Sequence, residues 1–226
     1  MPINTEHDMD FNKARFNMVE QQIRPWDVLD FDVLDALMDI PREAFVGADL
    51  QGLAYADAEL PLPNGEKMLE PKVVARLAQG LKLAKTDTVL EIGTGSGYAA
   101  ALLAKLAGQV ITVDRDPVQQ AQAKHILSGL GVENIVYARH DGLNETSEHA
   151  PFDAIYVGGA VREIPETLKQ QLKTGGRMVV MQGNSTLQRA LLITRDGDAF
   201  SEKVLFDTCA AWLNEGESKP YGGFDF

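Results

Sequence analysis

Cysteine is nearly missing from this chain: Cys209 stands alone among 226 residues. One thiol excludes an internal disulfide and any metal site built on cysteine pairs. Its setting, Cys209-Ala210-Ala211-Trp212, is apolar and predicts a small core residue rather than a nucleophile. Positive charge is also scarce, with 21 Lys and Arg against 33 Asp and Glu and a net charge of −12. That balance excludes a nucleic-acid partner, because such a protein must neutralise phosphates with clustered Lys and Arg. The histidines His7, His125, His140 and His149 are scattered, without helical i, i+4 spacing or a carboxylate cluster, so no metal is expected. No stretch approaches the roughly 18 apolar residues of a membrane span, and Met1 to Asp8 have neither the basic start nor the apolar run of a secretory signal. The expectation is a cytoplasmic chain with no membrane partner. No sequence feature specifies an oligomeric state.

What is present is an ordinary globular composition, 45% hydrophobic and 24% charged. It suits a single domain over residues 1–226, with an N-terminal helical segment at 1–84, a core at 85–210 and a tail at 211–226. Residues 11–24 place Phe11, Ala14, Met18 and Gln22 on one helical face, and residues 30–39 repeat the pattern with Val33, Leu34, Leu37 and Met38. Breakers crowd the next stretch, from Pro41 to Gly65, and predict a wrapping loop. Pro71 then opens a helix over 71–82 with Val73, Val74, Leu77, Ala78 and Leu81 as its apolar stripe.

From residue 88 strands and helices alternate. The pattern predicts strands at 88–92, 109–114, 134–138, 152–158 and 177–182, and helices at 97–107, 117–130 and 165–173, the last closed by Gly175-Gly176. Such alternation implies an α/β fold with a doubly wound, mostly parallel, Rossmann-like sheet. Two further strands, near 187–195 and 199–207, flank Arg195-Asp196-Gly197-Asp198, whose Asp-Gly signals a hairpin. The sheet is therefore expected to end in an antiparallel pair at one edge. That departs from the usual dinucleotide fold and fits the methyltransferase variant of the architecture.

The first strand runs into Val89-Leu90-Glu91-Ile92-Gly93-Thr94-Gly95-Ser96-Gly97-Tyr98, three alternate glycines between a strand and a helix. Glycines so placed let bare backbone approach a ligand at a helix N-terminus. Two cofactor classes use such a loop. A dinucleotide needs backbone N–H groups aimed at a pyrophosphate, and Gly95-Ser96-Gly97-Tyr98-Ala99-Ala100 satisfies that pattern too. S-adenosylmethionine has no phosphate and carries an ammonium group that an acid at the strand end can face. Glu91 favours the second class. Ligands of open α/β sheets lie beyond the carboxyl ends of the strands. This adds Asp114 as acceptor for both ribose hydroxyls, Asp141-Gly142 as neighbours of the adenine amino group or a plain turn, and Gly158-Gly159-Ala160.

The wider pattern resembles the protein-L-isoaspartate O-methyltransferases. Upstream it includes Met18-Val19-Glu20-Gln21-Gln22-Ile23, Pro41-Arg42-Glu43-Ala44-Phe45-Val46, Ala54-Tyr55-Ala56-Asp57 and Leu60-Pro61-Leu62. Downstream it continues through Asp141-Gly142, Phe152-Asp153-Ala154-Ile155 and Ile164-Pro165 to Gly175-Gly176-Arg177. The resemblance implies an enzyme that esterifies the stray carboxylate of isoaspartyl residues in aged proteins or peptides, with S-adenosylmethionine as cofactor. It implies a cofactor site at Glu91, Gly93, Thr94, Gly95, Ser96, Gly97, Asp114, Arg115, Asp141 and Gly142, with the upstream loop covering the substrate. One segment departs. Where the family reads Gly-Gln-Thr-Ile-Ser-x-Pro, this chain has Gly65-Glu66-Lys67-Met68-Leu69-Glu70-Pro71, so Lys67 and Leu69 stand at the positions of the family's active-site hydroxyls. His140 likewise replaces a common glycine. A methyltransferase retuned to another acceptor, a noncatalytic S-adenosylmethionine-binding module and a nicotinamide oxidoreductase are the competing readings.

Overall fold

Asp10 caps the first helix, its carboxylate accepting from Lys13 N at 3.0 Å. In the computed structural model, which describes residues 10–213, the helix α1 (Phe11–Asn17) passes into a π-helical turn over Met18–Ile23 and a short 3-10 turn at Arg24–Trp26. The wider turn buries Met18, Val19 and Ile23 together, whereas the single continuous helix expected over 11–24 would align Met18 with Gln22. Helix α2 (Phe31–Asp39) follows with Asp30 as its cap. The stretch expected as a plain loop contains two 3-10 turns, Arg42–Phe45 and Ala48–Leu53. It also forms a small antiparallel ladder between β1 (Leu60–Pro61) and β2 (Lys67–Met68). Arg15 ties these pieces together, donating to Tyr55 Oη at 2.9 Å, Met38 O at 3.1 Å and Glu43 Oε1 at 3.4 Å.

Helix α3 (Pro71–Leu81) buries the whole predicted stripe, each large side chain contributing about 1.5–3 kcal/mol by leaving water. The core then alternates as predicted: β3 (Thr88–Ile92), α4 (Tyr98–Leu106), β4 (Gln109–Asp114), α5 (Pro117–Gly129), β5 (Ile135–Arg139) and β6 (Phe152–Val161). It ends with the turn α6 (Glu166–Lys169), β7 (Leu172–Gly183), β8 (Gln188–Asp196) and β9 (Ala199–Thr208). The seven strands lie in the order β5-β4-β3-β6-β7-β8-β9, parallel as far as β7, with β8 and β9 antiparallel at the edge. Chain order reverses between β3 and β6, which opens the crevice that ligands of such sheets use.

Alternate residues of the sheet enter two cores. Val89, Val110, Ala154, Tyr156 and Val179 pack with the helices α1 to α5. Leu90, Ile92, Ile111, Ile155 and Val180 face the other way, where Leu168 of α6 and Leu143 cover them. Helical cover on this second face is slight because the helix expected over 165–173 is only a four-residue turn. Gln171 O already accepts from Phe152 N at 2.8 Å, so the chain has joined the sheet by that point. Gly175 and Gly176 do not cap a helix. They lie within β7, Gly175 at φ +80 and Gly176 so close to its neighbours that a Cβ would fall 2.8 Å from Lys173 O. These are the marks of a strand irregularity. Cys209 is likewise corrected: it is exposed, beyond the end of β9.

The expected tail begins as an ordered strap. Ala160 N donates to Ala211 O and Leu213 N to Ala160 O, both at 2.9 Å, laying residues 211–213 along the end of β6. The aromatic cluster Tyr221 to Phe226 lies outside the described residues.

Candidate functional site

Beyond the carboxyl ends of β3 and β4, a cavity of about 290 Å³ opens between the glycine loop, the β4–α5 connection and the loop after β5. Of the expected cofactor residues, Gly93, Asp114, Arg115, Asp141 and Gly142 line it. The glycines are needed there. Gly93, Gly95 and Gly97 have φ of +88, +49 and +88, a region that side-chain-bearing residues avoid. A Cβ on Gly142 would lie 2.5 Å from Val113 Cγ2, and one on Gly93 would lie 2.8 Å from Leu213 Cδ1. Gly97, at the cap of α4, admits α5 instead, with Ala123 Cβ 3.1 Å from where its own Cβ would be.

Asp114 organises the floor. One carboxylate oxygen accepts from Gly95 N at 3.1 Å and the other from Asp116 N at 2.9 Å, so a single side chain fixes the glycine loop against the start of α5. Asp141 is both a turn residue and part of the wall. It accepts from Leu143 N at 3.1 Å and from Asn144 Nδ2 at 2.9 Å, with the Arg115 guanidinium 3.7 Å away.

Glu91 lies below this floor, within β3 and fully buried. Gln120 Nε2 donates to Thr94 Oγ1 at 3.2 Å, the Thr94 and Thr112 hydroxyls are 2.7 Å apart, and Thr112 Oγ1 donates to Glu91 Oε2 at 2.6 Å. Because Thr112 has spent its proton on Glu91, Thr94 must donate to Thr112, and the chain of donors runs in one direction to the carboxyl. Glu91 Oε1 has no partner. Burial pushes this carboxyl up to about 8, against the lowering bond from Thr112 and with a further rise from Asp114, so it is chiefly protonated at neutral pH.

Nothing in the sequence assigns Asn64, Asp116 or Leu213 to the site; Glu66 is expected only in the acceptor loop and His140 only in place of a family glycine. All five line the cavity. Asn64 Nδ2 donates to Glu66 Oε2 at 3.3 Å and to Asp116 Oδ2 at 3.2 Å, fastening the β1–β2 hairpin to the cap of α5. Burial raises the Glu66 carboxyl, the Asn64 bond lowers it, and neighbouring Asp114 and Asp116 raise it again. The signal for these residues is three-dimensional: the hairpin is 52 positions from Asp116 along the chain.

Lys67, Leu69, Thr94 and Ser96 do not face this cavity. They surround a second one, of about 40 Å³, which also has Gly95, Tyr98 and Tyr156 in its wall and shares Gly93 with the first. Lys67 Nζ pairs with Glu59 Oε2 at 3.2 Å, while Glu59 Oε1 accepts from Ala211 N at 2.6 Å. Leu69 is buried, and its carbonyl accepts from Arg42 Nη2 at 2.8 Å.

The first cavity suits a cation. Glu66, Asp114, Asp116 and Asp141 face one guanidinium, Arg115, which favours a sulfonium and an ammonium and repels a pyrophosphate. Loop N–H groups that a phosphate would require are also engaged, Gly93 N with Val113 O at 2.9 Å and Gly95 N with Asp114.

Comparison with known proteins agrees. The family described as Protein-L-isoaspartate(D-aspartate) O-methyltransferase matches residues 13–210. A protein-L-isoaspartate O-methyltransferase of Koribacter versatilis is 42% identical over 199 residues, covering 88% of this chain and 89% of its own. One from Brucella anthropi is 42% identical over 197 residues, covering 86% and 90%. A solved protein-L-isoaspartate O-methyltransferase superposes with a TM-score of 0.77 at 28% identity, over 88% of this chain and 65% of that one. A putative one from Plasmodium falciparum, in complex with S-adenosyl-L-homocysteine, shares the fold with a TM-score of 0.74 at 20% identity, over 92% of this chain and 100% of its own. The chain belongs to the protein-L-isoaspartate(D-aspartate) O-methyltransferase family, whose cofactor is S-adenosylmethionine.

Proposed function

We propose that this chain methylates the free carboxylate of isoaspartyl residues in proteins or peptides, with its two adjoining cavities dividing the work. The observation that carries the reading is the shared wall at Gly93, which sets the acid-lined cavity beside the one bounded by Lys67 and Leu69. In the first cavity the residues fit the cofactor by charge and by backbone access. Gly93, Thr94, Gly95, Ser96 and Gly97 shape the loop, Asp114 offers its remaining lone pairs to a diol, and Asp141, Gly142 and Arg115 bound the far wall. Glu91, protonated beneath the loop, anchors Thr112 and through it Thr94 under the glycine loop. When bound, S-adenosylmethionine supplies a methyl group already activated on a sulfonium.

The chain's own task is then alignment and exclusion of water. A carboxylate acceptor is ionised at neutral pH, with an ordinary value near 4, so no general base is required. An acceptor oxygen held in the second cavity would receive that methyl group without help from a base of the chain. No proton moves. The absence of a histidine or free lysine base in the second cavity is consistent with this chemistry.

The test is incubation with methyl-labelled S-adenosylmethionine and an isoaspartyl peptide, followed by alkaline release of labelled methanol. Volatile label well above the peptide-free blank is expected, and label at blank level would contradict the reading. A second reading, a member retuned to a different carboxylate, is favoured by one observation: neither Lys67 nor Leu69 supplies a hydroxyl.

A further inference from the structure

Tyr156 sits in the middle of the sheet and is fully buried, yet its hydroxyl has no hydrogen-bond partner. The Tyr98 hydroxyl and Arg42 Nη1, on side chains 1% and 0% exposed, have no well-aligned bond beyond their contact with each other, and Glu91 Oε1 has no partner. Each buried group left unpaired costs about 1–3 kcal/mol, and folded proteins tolerate few of them. These four are neighbours. Tyr156 pairs in register with Glu91 across β3 and β6, the Arg42 guanidinium lies 4.4 Å over the Tyr98 ring, and Tyr156 is electrostatically coupled to Glu91, Arg42 and Tyr98 alike. Unmet polar atoms gathered at one place indicate a site completed by something outside the chain.

Tyr98 and Tyr156 form part of the wall of the second cavity, together with Lys67 and Leu69. Its volume of about 40 Å³ exceeds what one water requires and leaves room for a small polar group. The unpaired groups in and behind its wall are chiefly donors, two phenols and an Arg42 guanidinium nitrogen, while the Lys67 ammonium is engaged by Glu59. Burial holds both phenols above their ordinary value, so they keep their protons. With the neighbouring Glu91 carboxyl protonated as well, donors outnumber acceptors here, which suits an anion.

We propose that the hydroxyls of Tyr156 and Tyr98 bind the acceptor's carboxylate, supplying in this chain the hydrogen bonds that Lys67 and Leu69 do not. This inference rests on the isoaspartyl reading and specifies its substrate contact. Arg42 acts behind them as a positioning residue. Its Nε donates to Ala54 O and its Nη2 to Leu69 O, each at 2.8 Å, while its face supports the Tyr98 ring.

The experiment is Tyr156→Phe in the full chain, with three measurements. Peptide binding to the S-adenosylhomocysteine-loaded protein is followed by calorimetry, turnover by methanol release, and stability by thermal melting. One hydrogen bond to a charged group should weaken peptide binding and raise KM by about 10- to 100-fold, with S-adenosylhomocysteine affinity unchanged. Because the hydroxyl is unpaired in the free protein, Tm should hold or rise. Tyr98→Phe should weaken peptide binding in the same direction. Peptide affinity within twofold of the parent would overturn the proposal, as would an equal loss of S-adenosylhomocysteine affinity, which would put the hydroxyl in the cofactor site. A parent chain that binds the peptide through Tyr156 but does not methylate it would overturn the catalytic reading and leave the subsite standing. Turnover with Tyr156-independent binding would overturn the subsite alone.

Discussion

Glu91 and Asp114 are both acids at the ends of neighbouring strands, and their surroundings give them different work. Asp114 stays in contact with solvent and backbone donors, while Glu91 is sealed under the loop and takes up a proton on folding. A carboxyl whose folded value is raised from 4.5 to about 8 adds stability that is complete below 4.5 and disappears as pH climbs through 8. Tm should therefore fall between about pH 5 and pH 9, and Glu91→Gln, neutral throughout, should flatten that slope in thermal melts. An equally steep slope in the variant would mean that other groups set it. Asp114→Ala removes both backbone tethers of the cofactor loop. By calorimetry, S-adenosylhomocysteine should bind it about 10- to 100-fold more weakly, since charge-assisted bonds of about 1.5–3 kcal/mol are lost; unchanged affinity would contradict the assignment.

One buried side chain joins the wrapping loop to the site. Arg42 lies in the 3-10 turn Arg42–Phe45 and bonds to carbonyls at positions 54 and 69, so the wrapping loop and the acceptor segment move together. Arg42→Met strands both carbonyls. The expected loss is about 2–5 kcal/mol, or a Tm lower by about 5–15 °C, with faster proteolysis of the loop between α2 and α3. A variant that melts like the parent would show that the loop holds itself. The acceptor segment allows a gain-of-function test. Lys67→Thr with Leu69→Ser should raise isoaspartyl turnover, and unchanged or lower turnover would mean that this loop is not a depleted form of the family's site.

Elements whose signal is local were readable from the chain. Strand β3, the three glycines, the Pro71 start of α3 and the Asp-Gly hairpin each carry their cause within ten residues. Readings failed where tertiary context decides. Gly175-Gly176 looks like a helix stop, but a neighbouring strand claims Gln171 first. Cys209 sits among apolar neighbours and is exposed because β9 has ended at Thr208. Tyr156 gave no sequence signal, since its meaning comes from standing opposite Glu91 on a strand 65 positions away in sequence.

At the scale of the molecule, a net charge of −12 and a cavity rich in carboxylates act in the same sense. They favour the cationic cofactor over its uncharged thioether product, which assists product release. Raising salt screens that preference. Affinity for S-adenosylmethionine should drop by about threefold or more between low and high ionic strength while that for S-adenosylhomocysteine changes little, and parallel changes would contradict the electrostatic account. The sheet supplies the frame for this. Its reversal between β3 and β6 sets the two cavities side by side, and the 211–213 strap, held by Glu59 and Ala160, closes one edge.

The most direct test of the whole account compares two peptides of identical sequence, one with an isoaspartyl linkage and one with a normal aspartyl linkage, as methyl acceptors. Turnover of the isoaspartyl form is expected, with kcat/KM for the normal form lower by orders of magnitude. Equal methylation of both, or of neither, would contradict it.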